Sequence, residues 1–188
     1  NDYVGKGLSG GEIIIRAPKP LAARSAKNII AGNVIGYGAT SGKIYLNGAV
    51  GERFAIRNSG ATLVCEGAGD HCCEYMTGGL VAVLGTAGFN FAAGMTGGIA
   101  YVLDESGEFD RRCNLESVDL ESVPENSEAE AELRALVEDF HASTGSARAK
   151  EILGDWENFL PKFVMVFPID YRNALAAKAA AAPRSEPL

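Results

Sequence analysis

The sequence predicts an all-β solenoid core followed by a C-terminal α-helical extension, and three observations carry that reading. Most of the 23 glycines fall between Gly5 and Gly107, where they alternate with short runs rich in Val, Ile, Leu, Phe and Tyr. Such punctuation belongs to β-structure with many tight turns. A small hydroxyl residue followed by one or two glycines precedes a strand-like run five times, at Ser9-Gly10-Gly11, Ser41-Gly42, Ser59-Gly60, Thr77-Gly78-Gly79 and Thr96-Gly97-Gly98. After Cys113 the texture turns acidic and poor in glycine, with apolar residues at helical spacing.

The repeat sets the architecture. Gly42, Gly60, Gly79 and Gly98, the glycines nearest each strand, lie 18, 19 and 19 residues apart, and a period of that length is one coil of a solenoid. Each coil is expected to hold two or three short strands, stacked on its neighbours at ~4.8 Å with apolar side chains inward. Gly11, Gly42, Gly60, Gly79 and Gly98 then act as corner residues, where the backbone needs positive φ or close approach at the same place in every coil. The longer step from Gly11 to Gly42 implies an excursion over Ala17 to Asn28, which Pro18 and Pro20 push off the ladder.

In the second half, Ser127 and Glu130 form a capping-box pair that opens a helix. Leu133, Leu136, Val137 and Phe140 mark its buried face, and it runs to about His141, an exposed helix-end residue on this reading. A second helix is expected from about Ser146 to Phe159, carrying Ile152, Leu153 and Trp156. A short extended or turning segment follows over Leu160 to Pro168, and Asp170 caps a final Ala-rich helix. The chain therefore divides into a β-helix domain over 1–120, a helical extension over 121–182 and a flexible tail over 183–188. The extension is expected to cover the open end or flank of the coils, where exposed strand edges invite aggregation, or to dock on a neighbouring domain.

Composition removes several function classes. The 188 residues, 47% of them hydrophobic, suffice for one sizeable core. A formal charge of −7 without any cluster of Lys and Arg leaves no footprint for nucleic acid or an anionic membrane. No apolar stretch reaches the ~20 residues of a membrane span, and the first residues lack a secretory pattern, so a soluble cytoplasmic protein is expected. The chain begins without Met on a glycine-rich stretch, as a segment cut from a longer polypeptide would. Cys65, Cys72, Cys73 and Cys113 are too few and too irregular for a disulfide framework, and reduced thiols are expected.

Three clusters invite chemistry. Gly5, Gly7 and Gly10 match G-x-G-x-x-G, but that fingerprint needs a following helix to meet a pyrophosphate, and the β-branched run Ile13 to Ile15 follows instead. Corner glycines are the expectation there. Asp70, His71, Cys72, Cys73 and Glu74 supply ligand and nucleophile types, yet consecutive residues of an extended strand alternate faces and cannot converge on one metal. The favoured reading is a polar corner in which Asp70 or His71 satisfies turn amides and Cys73 packs inward. Arg53, Arg57 and Asn58, near Glu52 and Glu66, suit a small-molecule pocket, outward strand positions while Phe54 and Ile56 fill the core, or, with Asp70 and His71, contacts to an adjoining domain.

Longer strings carry a resemblance. "GNVIGYGATSGKIYLNGAVGERFAIRNSGA" from Gly32, "EGAGDHCCEYMTGG" from Glu66, "GFNFAAGMTGGIAYVLDE" from Gly88 and "TGSARAKEILGDWENFLPKFVMVFPIDYRNAL" from Thr144 resemble the C-terminal glycine-patterned (GXGXG) β-helix domain of the glutamate synthase large subunit. The resemblance spans nearly the whole chain. It implies a right-handed parallel β-helix in an enzyme that makes two glutamates from glutamine, 2-oxoglutarate and reducing equivalents, with NADPH as the expected donor. In that family a glutaminase domain releases ammonia, and a synthase domain holds FMN and an iron–sulfur cluster. What this domain inherits is a structural role coupling those two domains, without a cofactor, metal or catalytic residue of its own. A small reductase subunit is the further partner implied. Cys72 departs from the Gly or small residue expected at its position.

Other classes share parts of this pattern. A left-handed β-helix acyltransferase would have an 18-residue coil, and Gly36, Gly42, Gly48 and Gly60 do lie on multiples of six, but Ser41, Asn47 and Ser59 are polar where that fold wants aliphatic residues. A polysaccharide-acting β-helix would carry paired carboxylates on one exposed face, and no such ladder recurs. A β-helix scaffold of another redox complex, such as formylmethanofuran dehydrogenase, shares the glycine pattern without the tail around Trp156.

Overall fold

A computed structural model describes residues 1–181 of the chain. Five strands share one parallel direction: β1 (Ser9–Ile15), β3 (Ser41–Val50), β4 (Ser59–Gly67), β5 (Thr77–Val83) and β6 (Gly97–Leu103), with the short β2 (Ile29–Ala31) paired to the far end of β3. The sheet order β1-β3-β4-β5-β6 follows the chain, so each coil lays one strand beside the last. This is a parallel β-solenoid, as the glycine repeat predicts.

Register makes the core. Ile13, Ile44, Leu63, Val81 and Ala100 are direct partners along the stack, as are Ile15, Leu46, Cys65, Val83 and Val102 two residues on. Both rows face the interior of the coils. The row between them, Ile14, Tyr45, Val64, Ala82 and Tyr101, faces the opposite side of the sheet, because side chains alternate along a strand. That outer face is also apolar, and it is covered by the second half of the chain.

The covering elements are α1 (Glu128–Thr144), α2 (Ala147–Gly154) and α3 (Trp156–Phe159). Leu133, Leu136, Val137 and Phe140 of α1, with Ile152, Trp156 and Phe159, pack on Tyr45, Val64, Ala82 and Tyr101. The ring of Tyr45 meets Phe140 edge-on at 5.5 Å between centroids. Helix α1 starts where the sequence predicts: Ser127 Oγ accepts from the Glu130 amide at 3.1 Å, and Glu130 Oε2 accepts from the Asn126 amide at 2.6 Å. It runs on to Thr144 and ends at Gly145 in the left-handed conformation. His141 is half-buried there, its Nδ1 3.0 Å from the Ser146 carbonyl oxygen.

Two sequence expectations change. The second helix is not continuous to Phe159, since Asp155 has φ −137° and divides α2 from α3. The segment over Leu160 to Pro168 becomes β8 (Phe163–Pro168), antiparallel to β6 and to β7 (Val118–Ser122). A boundary at residue 120 therefore cuts through a strand of the common sheet. The physical reason is the edge of β6, whose free backbone groups are satisfied by the strand that returns from the helical region. Asp170 lies inside the first turn of α4 (Ile169–Ala181), not at its cap. The tail over 183–188 lies outside the described residues.

The excursion predicted from the prolines is present as a 3₁₀ segment, Lys19–Lys27, that leaves the sheet and returns at β2. Among the described residues no helix is long and apolar enough to cross a membrane.

Candidate functional site

The edge of the solenoid opposite the helices is built from turns. In each of five coils, three alternate residues adopt left-handed backbone conformations with φ between +53° and +71°. They form columns: Tyr3, Val34, Arg53, His71 and Asn90; Gly5, Gly36, Ala55, Cys73 and Ala92; Gly7, Gly38, Arg57, Tyr75 and Gly94. Ten of these positions are not glycine, and a left-handed L-residue costs ~1–2 kcal/mol in isolation. Val34, β-branched, is the most strained type of all.

Hydrogen bonds between coils hold the columns. The outer amides reach forward, Val34 to Glu52, Arg53 to Asp70 and His71 to Phe89, each at 2.8 Å. The middle amides reach back, Gly36 to Val4 at 2.8 Å, Ala55 to Ile35 at 2.9 Å and Cys73 to Phe54 at 2.8 Å. The strain persists because the coils at 34–38, 53–57 and 71–75 are each bonded to a coil on both sides. Gly5 and Gly7 belong to this ladder, which places them in a stack of turns and not before a phosphate-binding helix.

A second glycine column precedes it. Gly51, Gly69 and Gly88 each donate an amide to the coil before, Gly51 to Gly32 at 2.9 Å, Gly69 to Gly51 at 3.0 Å and Gly88 to Ala68 at 3.0 Å. Beside them, side chains act as spacers: Asp2 Oδ1 accepts from the Asn33 amide, Asn33 Oδ1 from Glu52 and Asp70 Oδ1 from Phe89, at 2.7, 2.9 and 2.7 Å. A period taken from the glycines before the strands misses this column, although Gly32, Gly51, Gly69 and Gly88 recur at 19, 18 and 19 residues.

The predicted corner glycines sit at the starts of the strands. Gly11, Gly42, Gly79 and Gly98 have positive φ, while Gly60 does not. A Cβ on Gly60 would lie 2.3 Å from the Thr40 carbonyl oxygen, so it is close approach that requires glycine there. Asn58 lies just before it, fully buried, with Oδ1 accepting from the Ala61 amide and Nδ2 donating to the Ala61 carbonyl, both at 2.9 Å. This corrects its place among candidate surface residues, because its amide is committed inside the coil.

The remaining candidates line the turn edge. Arg53 and Arg57 are exposed, and Arg53 reaches Glu52 at 3.5 Å. His71 Nδ1 lies 2.7 Å from Glu74 Oε1. A carboxylate oxygen only accepts, so Nδ1 carries the proton. Asn90 Nδ2 donates to the same carboxylate at 3.3 Å, and Asn114 Nδ2 donates to Asn90 Oδ1 at 3.2 Å. Tyr75 and Phe89 stand exposed nearby.

Cys72 and Cys73 are both fully buried in the same core cluster, against the expectation that only one faces inward. Residues 70–73 are turns and not an extended strand, so faces do not alternate. Their sulfurs lie 3.7 Å apart, and Cys113 donates to the Phe91 carbonyl at 3.5 Å. Burial pushes the Cys72 thiol far up and Cys113 to about 12. Among the described residues no group of three or more His, Cys, Asp or Glu side chains is placed to hold a metal.

A parallel solenoid closed along one edge by stacked left-handed turns defines a class of glycine-patterned β-helix domains. The chain belongs to the GXGXG motif family, whose pattern matches residues 1–169. It is 53% identical over 178 residues to the large chain of the NADPH glutamate synthase of Bacillus subtilis, covering 94% of this chain and 12% of that protein. It is 50% identical over 180 residues to the NADH glutamate synthase of Schizosaccharomyces pombe, covering 96% and 8%, and 50% identical over 169 residues to ferredoxin-dependent glutamate synthase 2 of Synechocystis sp., covering 89% and 11%. The chain thus spans about a tenth of the length of the curated relatives it matches.

Proposed function

We propose that this chain is the scaffold domain of a cytoplasmic glutamate synthase, one that makes two glutamates from glutamine, 2-oxoglutarate and reductant and so assimilates ammonia. On this reading it carries no catalytic residue. Its office is to hold the glutaminase domain and the FMN and iron–sulfur synthase domain of the same polypeptide in fixed relation, with a small reductase subunit supplying electrons.

The observation that carries the reading is the turn ladder. Strained columns locked by coil-to-coil hydrogen bonds make an edge that cannot flex locally without breaking bonds in two neighbouring coils. Arg53, Arg57, Asp70, His71, Tyr75 and Phe89 project from that edge with charge and aromatic surface suited to neighbouring domains. Relatives named for NADPH, NADH and ferredoxin match at 53, 50 and 50% identity, which supports a role indifferent to the electron donor.

The test is made in the intact synthase with Gly79→Val. A Cβ there lies 2.4 Å from the Ala61 carbonyl oxygen on a backbone with φ +88°, so the coil must shift. Glutamine hydrolysis that continues while glutamate formation falls supports the scaffold role. Coupling that stays intact in a domain shown by hydrogen exchange to be distorted overturns it.

A further inference from the structure

The turn edge carries one ring that is held in place on one side and left unanswered on the other. His71 sits in the left-handed column with φ +63°, its amide bonded to the Phe89 carbonyl oxygen at 2.8 Å. Its Nδ1 donates to Glu74 Oε1 at 2.7 Å. Glu74, with a side chain only 13% exposed, also accepts from Asn90 Nδ2 at 3.3 Å, and Asn90 Oδ1 accepts in turn from Asn114 Nδ2 at 3.2 Å. One residue of the same coil, one of the next coil and one of the segment before β7 thus fix the orientation of a single imidazole. Such outer hydrogen bonds pre-organise the nitrogen on the far side of the ring.

That nitrogen is Nε2. In the neutral ring with Nδ1 protonated it keeps the lone pair and acts as an acceptor. It has no hydrogen-bond partner among the described residues, and it reaches the surface: the side chain is 34% exposed, and the buried side-chain atoms without a partner among the described residues are Glu66 Oε2 and Ser117 Oγ.

Two exposed aromatic rings flank it, and both are braced. The ring of Tyr75 lies against Gly94, where a Cβ would come within 2.6 Å of the ring, and the Arg112 guanidinium lies 5.3 Å from the centre of the Phe89 ring. A braced aromatic side chain loses little freedom on being covered, and aromatic anchors around a desolvated polar contact are the usual centre of a protein interface.

From this arrangement we infer that His71 Nε2 accepts a hydrogen bond from an N–H or O–H donor in another part of the same polypeptide, whose apolar side chains cover Tyr75 and Phe89. The inference rests on the scaffold reading above. The chain spans 12, 8 and 11% of three relatives, so a neighbour tethered in the same polypeptide would meet this patch at high effective concentration. A second copy of the chain and bulk water are the competing occupants.

The experiment labels the intact polypeptide with diethyl pyrocarbonate, which acylates an accessible imidazole nitrogen, and follows His71 by peptide mass spectrometry against free N-acetylhistidine. A Tyr75→Ala/Phe89→Ala variant changes only exposed side chains and should uncover the ring. The expected result is a wild-type rate at least about tenfold below that of N-acetylhistidine, rising at least about tenfold in the variant and independent of protein concentration. A wild-type rate within about threefold of N-acetylhistidine, or one that the variant leaves unchanged, overturns the inference. Protection lost on dilution assigns the patch to a second copy and overturns it too. His71→Asn is the second variant: it keeps a donor toward Glu74 and suits the left-handed backbone, as Asn90 does one coil on, but has nothing at the place of Nε2. Hydroxyl-radical oxidation of Phe89 in the intact polypeptide should rise in that variant, and unchanged oxidation overturns the hydrogen bond. These labels read contact and not turnover, so an open His71 is distinguishable from a failure of the coupling assay above.

Discussion

Gly69 donates its amide to the Gly51 carbonyl oxygen at 3.0 Å, and a Cβ built on Gly69 would lie 2.9 Å from the Gly51 carbonyl carbon. The neighbour is backbone, so nothing flexible can move aside. Gly69→Ala is expected to destabilise this chain by ~1–3 kcal/mol, the usual cost of overpacking a closed site. Urea unfolding measures it, and a midpoint equal to wild type would mean that the coils are not packed at this spacing.

Gly154 gives the opposite sign. It ends α2 without positive φ, and beyond its own helix backbone and chain neighbours no atom lies within 4 Å of the place a methyl group would take there. Gly154→Ala should stabilise by ~0.4–1 kcal/mol, through helix propensity and a less flexible unfolded chain. The same urea series reads both variants, and the contrast separates close approach from glycine content as the cause.

Asp139 ties α1 to the sheet. Its Oδ2 accepts from Lys43 Nζ at 2.6 Å and from the Tyr45 hydroxyl at 2.7 Å, and these donors hold its carboxyl below the ordinary 3.8. A depressed folded-state value means stability that is present in full above 3.8 and is lost as pH falls through the lower value. Asp139→Asn should therefore be less stable than wild type at pH 7, with the gap closing in acid. Denaturation at both pH values checks it; a gap independent of pH would assign the effect to packing alone.

The solenoid was legible because the period of the strand-opening glycines is the period of the coil; which residues face inward was not, because Ile44, Tyr45 and Leu46 are all apolar and both faces of the sheet are covered. The turn ladder was not, since Arg53, Ala55, Arg57, Cys73 and Tyr75 are residue types that avoid positive φ when considered one at a time. Only bonds to the coils above and below make that conformation the stable one. Strand β8 was hidden for a similar reason: Phe163 to Pro168 looks like a connector until the free edge of β6 is in place to pair with it.

The thiols should be inert in the native state. Cys65, Cys72 and Cys73 have no exposed surface, and burial pushes Cys113 to about 12, far from the thiolate form at neutral pH. Iodoacetamide at pH 8 is expected to leave the folded chain unmodified by mass spectrometry over a time in which the urea-unfolded chain takes up four adducts, one per cysteine. Rapid labelling of Cys72 or Cys73 in the folded chain would contradict the packing of residues 70–73.

Asn58 closes the turn edge onto β4 by serving the amide and the carbonyl of one buried residue, Ala61. Asn58→Ala removes both contacts and is expected to cost ~1–3 kcal/mol. Asn58→Asp is the more telling change, because a carboxylate can still accept from the Ala61 amide but sets a second acceptor against the Ala61 carbonyl. The ionised form is penalised by burial and by that carbonyl, so the folded-state pKa should lie above the ~3.9 of an unfolded aspartate. The folded state then binds more protons, and stability falls as pH rises through the raised value. The variant should consequently be less stable than Asn58→Ala at pH 7 and regain stability relative to it on acidification, when the protonated acid can donate to Ala61. Parallel pH profiles for the two variants would show that the side chain at 58 does not face that carbonyl.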